Sequence, residues 1–135
     1  MTVVTHILFY GYLVMVLGLG AGGILVAEWE LTHVFDVPLD QMDASARATL
    51  LNHYRFLRSV EVGFGTFMLL GRREIFLPTT YSRIFIIGAF ANGGSRVLSM
   101  VMDGVPHWAF VTFAVLELTA AVLVWICARK AGERL

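Results

Sequence analysis

Charged and polar side chains recur at helical spacing inside segments of this sequence that are otherwise apolar. Arg55, Arg58 and Glu61 follow one another at intervals of three residues, which places them near one face of a helix. A second apolar segment carries four polar residues at intervals of four, three and four positions, namely Asn92, Arg96, Ser99 and Asp103. Arginines and carboxylates on neighbouring helices can pair with each other, or can together bind the polar part of a ligand.

A third apolar segment contributes one more carboxylate, that of Glu117. We expect Arg96 to pair with Glu117 and Arg58 with Glu61. If these apolar segments cross a membrane, an unpaired charge at the bilayer centre costs about 2.5–3.5 kcal/mol. All eight side chains form one predicted polar cluster. Closed pairs would make it an electrostatic staple that fixes helix register. An open arrangement would instead line a cavity that binds a ligand, and the sequence leaves both alternatives open.

The composition of the chain indicates a membrane protein. Of its 135 residues, 58% are hydrophobic and 15% charged, and the mean hydropathy is +0.75. A soluble domain has about 25% charged residues. Ten basic and ten acidic residues cancel, so the net charge gives no reason to expect a nucleic-acid partner. Cys127 is the one cysteine, which excludes a disulfide within the chain.

The apolar segments predict an all-α fold, an integral membrane four-helix bundle in a single transmembrane domain over residues 1–135. A span needs roughly 20 apolar residues, and the four predicted spans are approximately 5–27, 46–71, 80–102 and 106–128. The second is the least hydrophobic. A polar connection from Glu28 to Asp43 follows the first span, and a short amphipathic extension capped by Asp43 or Ser45 precedes the second.

Flanking charges predict the orientation of the spans. Basic residues surround the second connection and follow the last span, at Arg72, Arg73, Arg83, Arg129, Lys130 and Arg134. The first connection is acidic and the third contains no base. The positive-inside rule therefore places both termini and the 71–83 turn in the cytoplasm, and the polar cluster in the outer half of the bilayer.

Histidines are the other potential ligands. His6 lies at the cytoplasmic end of the first span, whereas His33, His53 and His107 lie outside the membrane or at its outer edge. No two of them face each other at mid-membrane to hold a haem. A metal site built from His53, His107 and Asp103 would lack any local ligand spacing. We therefore predict no metal and no cofactor.

Several of these features together resemble a known family. The second span begins with arginines, residues 93–106 contain Gly-Gly-Ser-Arg, six further residues and Asp-Gly-Val-Pro, and the fourth span holds a lone glutamate. This arrangement resembles a widespread bacterial family of small four-helix membrane proteins, a domain of unknown function distantly similar to DoxX-like proteins. The resemblance covers nearly the whole chain. It implies a four-helix bundle in the bacterial inner (plasma) membrane with a shared polar cluster, and it implies no activity.

Two classes of function follow from the sequence. The first is a non-enzymatic protein that binds a lipid or other amphiphile in a polar outer-leaflet cavity, or serves as accessory subunit of a membrane complex or homo-oligomer. Four short spans leave little room for a catalytic domain. The alternative is an intramembrane lipid or isoprenoid enzyme of the isomerase or transferase type. There Glu61 or Glu117 would be the acid or base, and Arg58 or Arg96 would stabilise charge. A proton-coupled transporter would use the same residues.

Overall fold

The computed structural model of the protein describes residues 3–133, which are helical apart from their connections. The five α-helices are α1 (Val3–Leu25), α2 (Ala27–His33), α3 (Ala44–Leu70), α4 (Thr80–Asp103) and α5 (Trp108–Gly132). One turn of 3-10 helix, Leu39–Gln41, lies between α2 and α3. Residues 3–133 contain no strand, which confirms the all-α class. Arg134 and the two chain ends, on which part of the predicted orientation depends, lie outside the described residues.

Three of the helices, α1, α4 and α5, are long and apolar enough to cross a membrane. The helix α3 is also long, at 27 residues, but it carries more charged side chains and is not among the three. Large apolar side chains on the outer faces of α4 and α5 are exposed, for example Val101 at 79% and Val115 at 59%. Extended exposed apolar surface of this kind is typical of a face that contacts lipid or another protein.

The helix starts follow local sequence signals. Asp43 caps α3, because its side chain accepts hydrogen bonds from two backbone N–H groups of the first turn at 2.9 and 3.0 Å. Thr79 caps α4 in the same way. The turn between α4 and α5 passes through Gly104 at φ 98°, a left-handed conformation that glycine adopts without steric cost. Pro106 lies before the N-cap residue His107, so α5 starts slightly later than the predicted fourth span.

The acidic connection contains a helix that the sequence pattern does not predict. The predicted connection over residues 28–43 includes most of this helix, α2 (Ala27–His33), which begins one residue before it. The chain bends at Val26, but the Val26 carbonyl accepts from the Glu30 N–H at 2.9 Å, so helical hydrogen bonding continues through the bend. The buried face of α2 follows a three- and four-residue spacing, at Ala27, Glu30 and Leu31.

Contacts divide the described chain into two compact units. The continuous unit is Leu13–Phe67, which includes the second half of α1, the whole of α2 and most of α3. Its core contains Leu31, Phe35 and Leu39, each at most 7% exposed. The ring of Phe35 meets that of Tyr54 edge to face at 6.3 Å, so the segment around α2 packs on α3.

The discontinuous unit consists of residues 3–12 and 68–133. Its aromatic core joins Phe9 of α1 to Phe76, with ring centroids 4.9 Å apart, and to Phe85 of α4 at 5.8 Å. Phe76 belongs to the turn between α3 and α4. In the same unit Leu118 of α5 fills the space beside Gly93 of α4, where a Cβ would lie 2.7 Å from Leu118 Cγ. The two helices therefore pack closely at the level of Gly93.

Candidate functional site

Arg58 is the centre of a buried polar network in the continuous unit, and it is only 4% exposed. Its Nη1 donates to Glu61 Oε2 at 2.7 Å, and its Nη2 donates to the Tyr54 hydroxyl at 2.6 Å and to Glu30 Oε1. Its Nε also donates to the Tyr54 hydroxyl, at 3.0 Å. These four residues are named the Arg58 network below. The predicted Arg58–Glu61 ion pair is confirmed.

The backbone of α1 closes the network at Gly23. A Cβ at this position would lie 2.5 Å from Arg58 Nε and 2.7 Å from Glu30 Oε2, so the absence of a side chain makes room for both groups. Within residues 3–133, Glu30 Oε2 is buried and accepts no hydrogen bond of regular geometry. The Tyr54 hydroxyl interacts with the same carboxylate and has one proton to donate. Glu30 is therefore held mainly through its Oε1, which accepts from Arg58 Nη2.

The sequence pattern does not indicate two members of the network, Glu30 and Tyr54. Glu30 belongs to the acidic segment predicted to form a polar connection, yet it is only 7% exposed. One signal could have found it: Gly23, Ala27 and Glu30 follow one another at four- and three-residue spacing, so a helix continuing past Val26 would place them on one face. Tyr54 precedes Arg58 by four residues and therefore lies one helical turn away on α3.

Arg55 lies outside the Arg58 network, on the exposed surface of α3. Its Nε donates to the backbone carbonyl of Ile24 at 3.3 Å. The reason is geometric, because each three-residue step on an α-helix rotates the side chain by about 60° away from the previous one. Two such steps separate Arg55 from Glu61 by about 120°, so Arg58 faces inward and Arg55 does not.

The second ion pair lies in the discontinuous unit, between Arg96 of α4 and Glu117 of α5. Arg96 Nε donates to Glu117 Oε2 at 3.0 Å and Arg96 Nη2 to Glu117 Oε1 at 3.4 Å, which confirms the predicted pair. The guanidinium carbon also lies 5.7 and 5.5 Å from the ring centres of Phe110 and Phe113. Phe110, Phe113 and Glu117 share one face of α5 at three- and four-residue spacing. That face holds the Arg96 side chain.

The remaining polar residues of α4 lie on its exposed surface. Ser99 donates to Asp103 Oδ2 at 2.8 Å, so these two contact each other. Asn92 is also exposed, and its backbone carbonyl accepts from the Ser95 hydroxyl at 2.8 Å. Arg96 alone among the four polar residues of this stripe forms an ion pair within the described chain.

The residues of the polar cluster predicted from sequence belong to both units. Arg58 and Glu61 belong to the continuous unit, and Arg96, Glu117, Ser99 and Asp103 belong to the discontinuous unit. In the described part of the chain, no three His, Cys, Asp or Glu side chains come together in a way that could hold a metal ion.

These features define a class of small all-helical proteins with potential membrane spans and ion pairs buried between their helices. A family model matches residues 3–128, and the chain belongs to that family, described as "Domain of unknown function (DUF4345)". No curated protein and no solved structure matches the chain. Membership of a family of unknown function is thereby confirmed, while the DoxX-like relation and the residue signature stay predictions.

Proposed function

We propose that the protein is a small non-enzymatic membrane protein that binds the polar head of an amphiphile at Arg96. In this proposal α1, α3, α4 and α5 cross the membrane, α2 lies outside it, and both termini are cytoplasmic. The Arg58 network then serves as the staple that fixes the packing of its helices. The Arg96–Glu117 pair serves as the binding site in the outer leaflet.

This proposal rests on one observation: two ion-paired arginines differ in their exposure and in how many of their nitrogens have hydrogen-bond partners. Arg58 is 4% exposed, and all three of its side-chain nitrogens donate to other members of its network. The Arg96 side chain is 25% exposed, and its Nη1 has no hydrogen-bond partner in the described chain. A guanidinium has five N–H donors, so Arg96 keeps donors for a phosphate or carbonyl group of a ligand.

The surroundings of Arg96 suit an amphiphile. The rings of Phe110 and Phe113 hold the guanidinium in place, so little side-chain entropy is lost when a ligand binds. Asp103 lies seven residues further along α4, about 10 Å at the rise of an α-helix. We expect a ligand whose acceptor groups contact Arg96 and whose hydroxyl or ammonium group reaches towards Ser99 and Asp103.

The enzymatic alternative has less support from the geometry. Glu61 and Glu117 are each hydrogen-bonded to an arginine, at 2.7 and 3.0 Å. A general acid or base must reach the substrate proton within hydrogen-bonding distance, and these pairings occupy part of each carboxylate. A role as accessory subunit would place a partner chain, rather than an amphiphile, against Arg96.

Native mass spectrometry of gently extracted protein tests the proposal. We expect the wild-type protein to retain a bound amphiphile, and Arg96→Gln to lower its occupancy about tenfold, the equivalent of one hydrogen bond to a charged group. Arg96→Lys, which keeps the charge but loses the planar donors, should fall between them. Arg55→Gln is the matched control and should bind like wild type. Equal occupancy in all four proteins, or a bound protein subunit in place of an amphiphile, contradicts the proposal.

A further inference from the structure

A basic surface covers one end of the discontinuous unit. The start of α1, the turn between α3 and α4 and the end of α5 meet there, since the His6 and Phe76 rings lie 4.8 Å apart and Pro78 borders Gly132. Five exposed basic side chains surround this meeting point and are named the basic end: Arg72, Arg73, Arg83, Arg129 and Lys130. The basic end and Asp103 lie at opposite ends of α4.

The frame that carries these charges is well packed. Ile75 and Phe76, which follow the first arginines, are 0% and 2% exposed and anchor the turn in the aromatic core. The Thr79 hydroxyl donates to the Glu74 carbonyl at 2.9 Å and links the turn to the cap of α4. Arg72 Nη1 donates to the carbonyl of Leu69 at 3.0 Å. The basic groups are therefore presented by a fixed surface and not by a loose tail.

Most of this positive charge is not neutralised by the residues that the structure describes. Arg73, Arg83 and Lys130 make no ion pair or side-chain hydrogen bond with any residue in the range 3–133. Arg129 pairs with Glu133 at 3.1 Å, and Glu74 is the other acidic residue nearby in sequence. The basic end thus has an excess of positive charge beside helices that are apolar enough to cross a membrane.

We infer that the basic end binds the headgroups of anionic phospholipids in the leaflet next to it. Groups of four or more basic side chains at the end of a membrane helix attract anionic lipids, because each charge lies within a screening length of the headgroups. The lipid that complements the basic end has a phosphodiester in its headgroup and a net negative charge. The inference requires that α4 and α5 cross the membrane, but it needs neither the proposed orientation nor the Arg96 site, so either proposal can fail alone.

Trp125 offers a local reporter. It lies four residues before Arg129 on α5 and is 49% exposed. Replacing the other two tryptophans, by Trp29→Phe and Trp108→Phe, leaves a single fluorophore next to the basic end. The protein is reconstituted into phosphatidylcholine vesicles that contain a minor fraction of either brominated phosphatidylglycerol or brominated phosphatidylcholine. Quenching of Trp125 then reports which lipid occupies the adjacent surface.

We expect phosphatidylglycerol to be favoured about tenfold over phosphatidylcholine, and high salt to weaken the preference. Arg73→Gln with Arg83→Gln and Lys130→Gln should abolish it. The charge-conserving set Arg73→Lys, Arg83→Lys and Lys130→Arg should retain it, as should the control Arg55→Gln.

Three results would overturn the inference. The first is equal quenching by the two lipids in the protein with native charges. This measurement does not require any charge variant to fold. It would favour an acidic protein segment, rather than a lipid, as the partner of the basic end. The second is a lipid preference that survives the triple glutamine change. The third is a preference that is lost equally in the Arg55→Gln control, since the basic end would then have no special part in it.

Discussion

The side chain of Arg58 lies against the backbone of Gly23. A Cβ at position 23 would be 2.5 Å from Arg58 Nε and 2.7 Å from Arg58 Cγ. Arg58 cannot move aside freely, because its nitrogens are bonded to Glu30, Tyr54 and Glu61. This contact is one of several that limit how closely α1 and α3 approach within the continuous unit.

Gly23→Ala should therefore destabilise the protein. The added methyl group must displace Arg58 or widen the helix contact, at a cost of about 1–3 kcal/mol. Gly22→Ala is the matched control, since a Cβ there meets nothing within 4 Å, and it should be neutral or slightly stabilising. Thermal unfolding in detergent measures both. Equal melting temperatures for the two variants would mean that Arg58 adjusts without loss.

Glu30→Gln should be more damaging than Glu28→Gln. Both carboxylates pair with an arginine, but Glu30 and Arg58 have side chains 9% and 5% exposed, whereas Glu28 and Arg47 are 57% and 42% exposed. Breaking a buried pair costs about 3–5 kcal/mol, and an exposed pair contributes about 0–1 kcal/mol. Chemical unfolding of the two variants in the same detergent gives the comparison. A larger loss for Glu28→Gln would contradict the buried network.

Arg96→Ala should destabilise the protein more than Arg72→Ala. Loss of Arg96 strands the carboxylate of Glu117, which is 5% exposed, and the expected cost is about 3 kcal/mol. Arg72 is exposed, and its removal should cost about 0.5 kcal/mol at most. The melting temperatures of the two variants provide the measurement. If the two melting temperatures coincide, the Arg96 side chain is solvated and is not held by Glu117.

The double change Arg96→Leu with Glu117→Leu separates a staple from a binding site. Replacing a buried ion pair by apolar residues is often neutral or stabilising, so we expect the double variant to melt like wild type. We also expect it to lose its bound amphiphile and to fail in complementation of a deletion strain. If the double variant is stable, binds the amphiphile and complements the deletion strain, a structural role explains this pair better.

Reporter fusions test the orientation. A reporter at the C-terminus and one between Arg72 and Arg73 should report the cytoplasm, because the positive-inside rule places the flanking bases there. A reporter near Asp40 should report the periplasm. The insertion between the two arginines avoids Ile75 and Phe76, which are buried. Opposite signals would place the Arg96 pair in the inner leaflet.

The sequence predicts the ion pairs because charges in apolar segments have few alternatives to pairing. Arg58 with Glu61, and Arg96 with Glu117, follow from that constraint alone. The capping role of Asp43 follows from its position before a helical segment. In these cases a local or energetic rule dominates, and the tertiary structure agrees with it.

The sequence does not predict Glu30, since its place depends on whether a helix continues through the bend at Val26. The acidic residues around Glu30 indicate a water-exposed connection, whereas the packing of Ala27 and Leu31 turns one face of α2 inward. Tertiary contact thus overrides local composition. The spacing also does not predict which unit each polar residue belongs to, because spacing determines the face of a helix and not the neighbour which that face contacts.

The two units also differ in when they can form during synthesis. The continuous unit comes from one uninterrupted segment, Leu13–Phe67, so its contacts can close while the ribosome is still making the second half of the chain. The discontinuous unit must wait, because Thr5 meets Cys127 across 122 residues of sequence. At about 5–20 residues per second, several seconds pass between the synthesis of α1 and that of α5. In that interval residues 3–12 of α1 must contact partners other than α5.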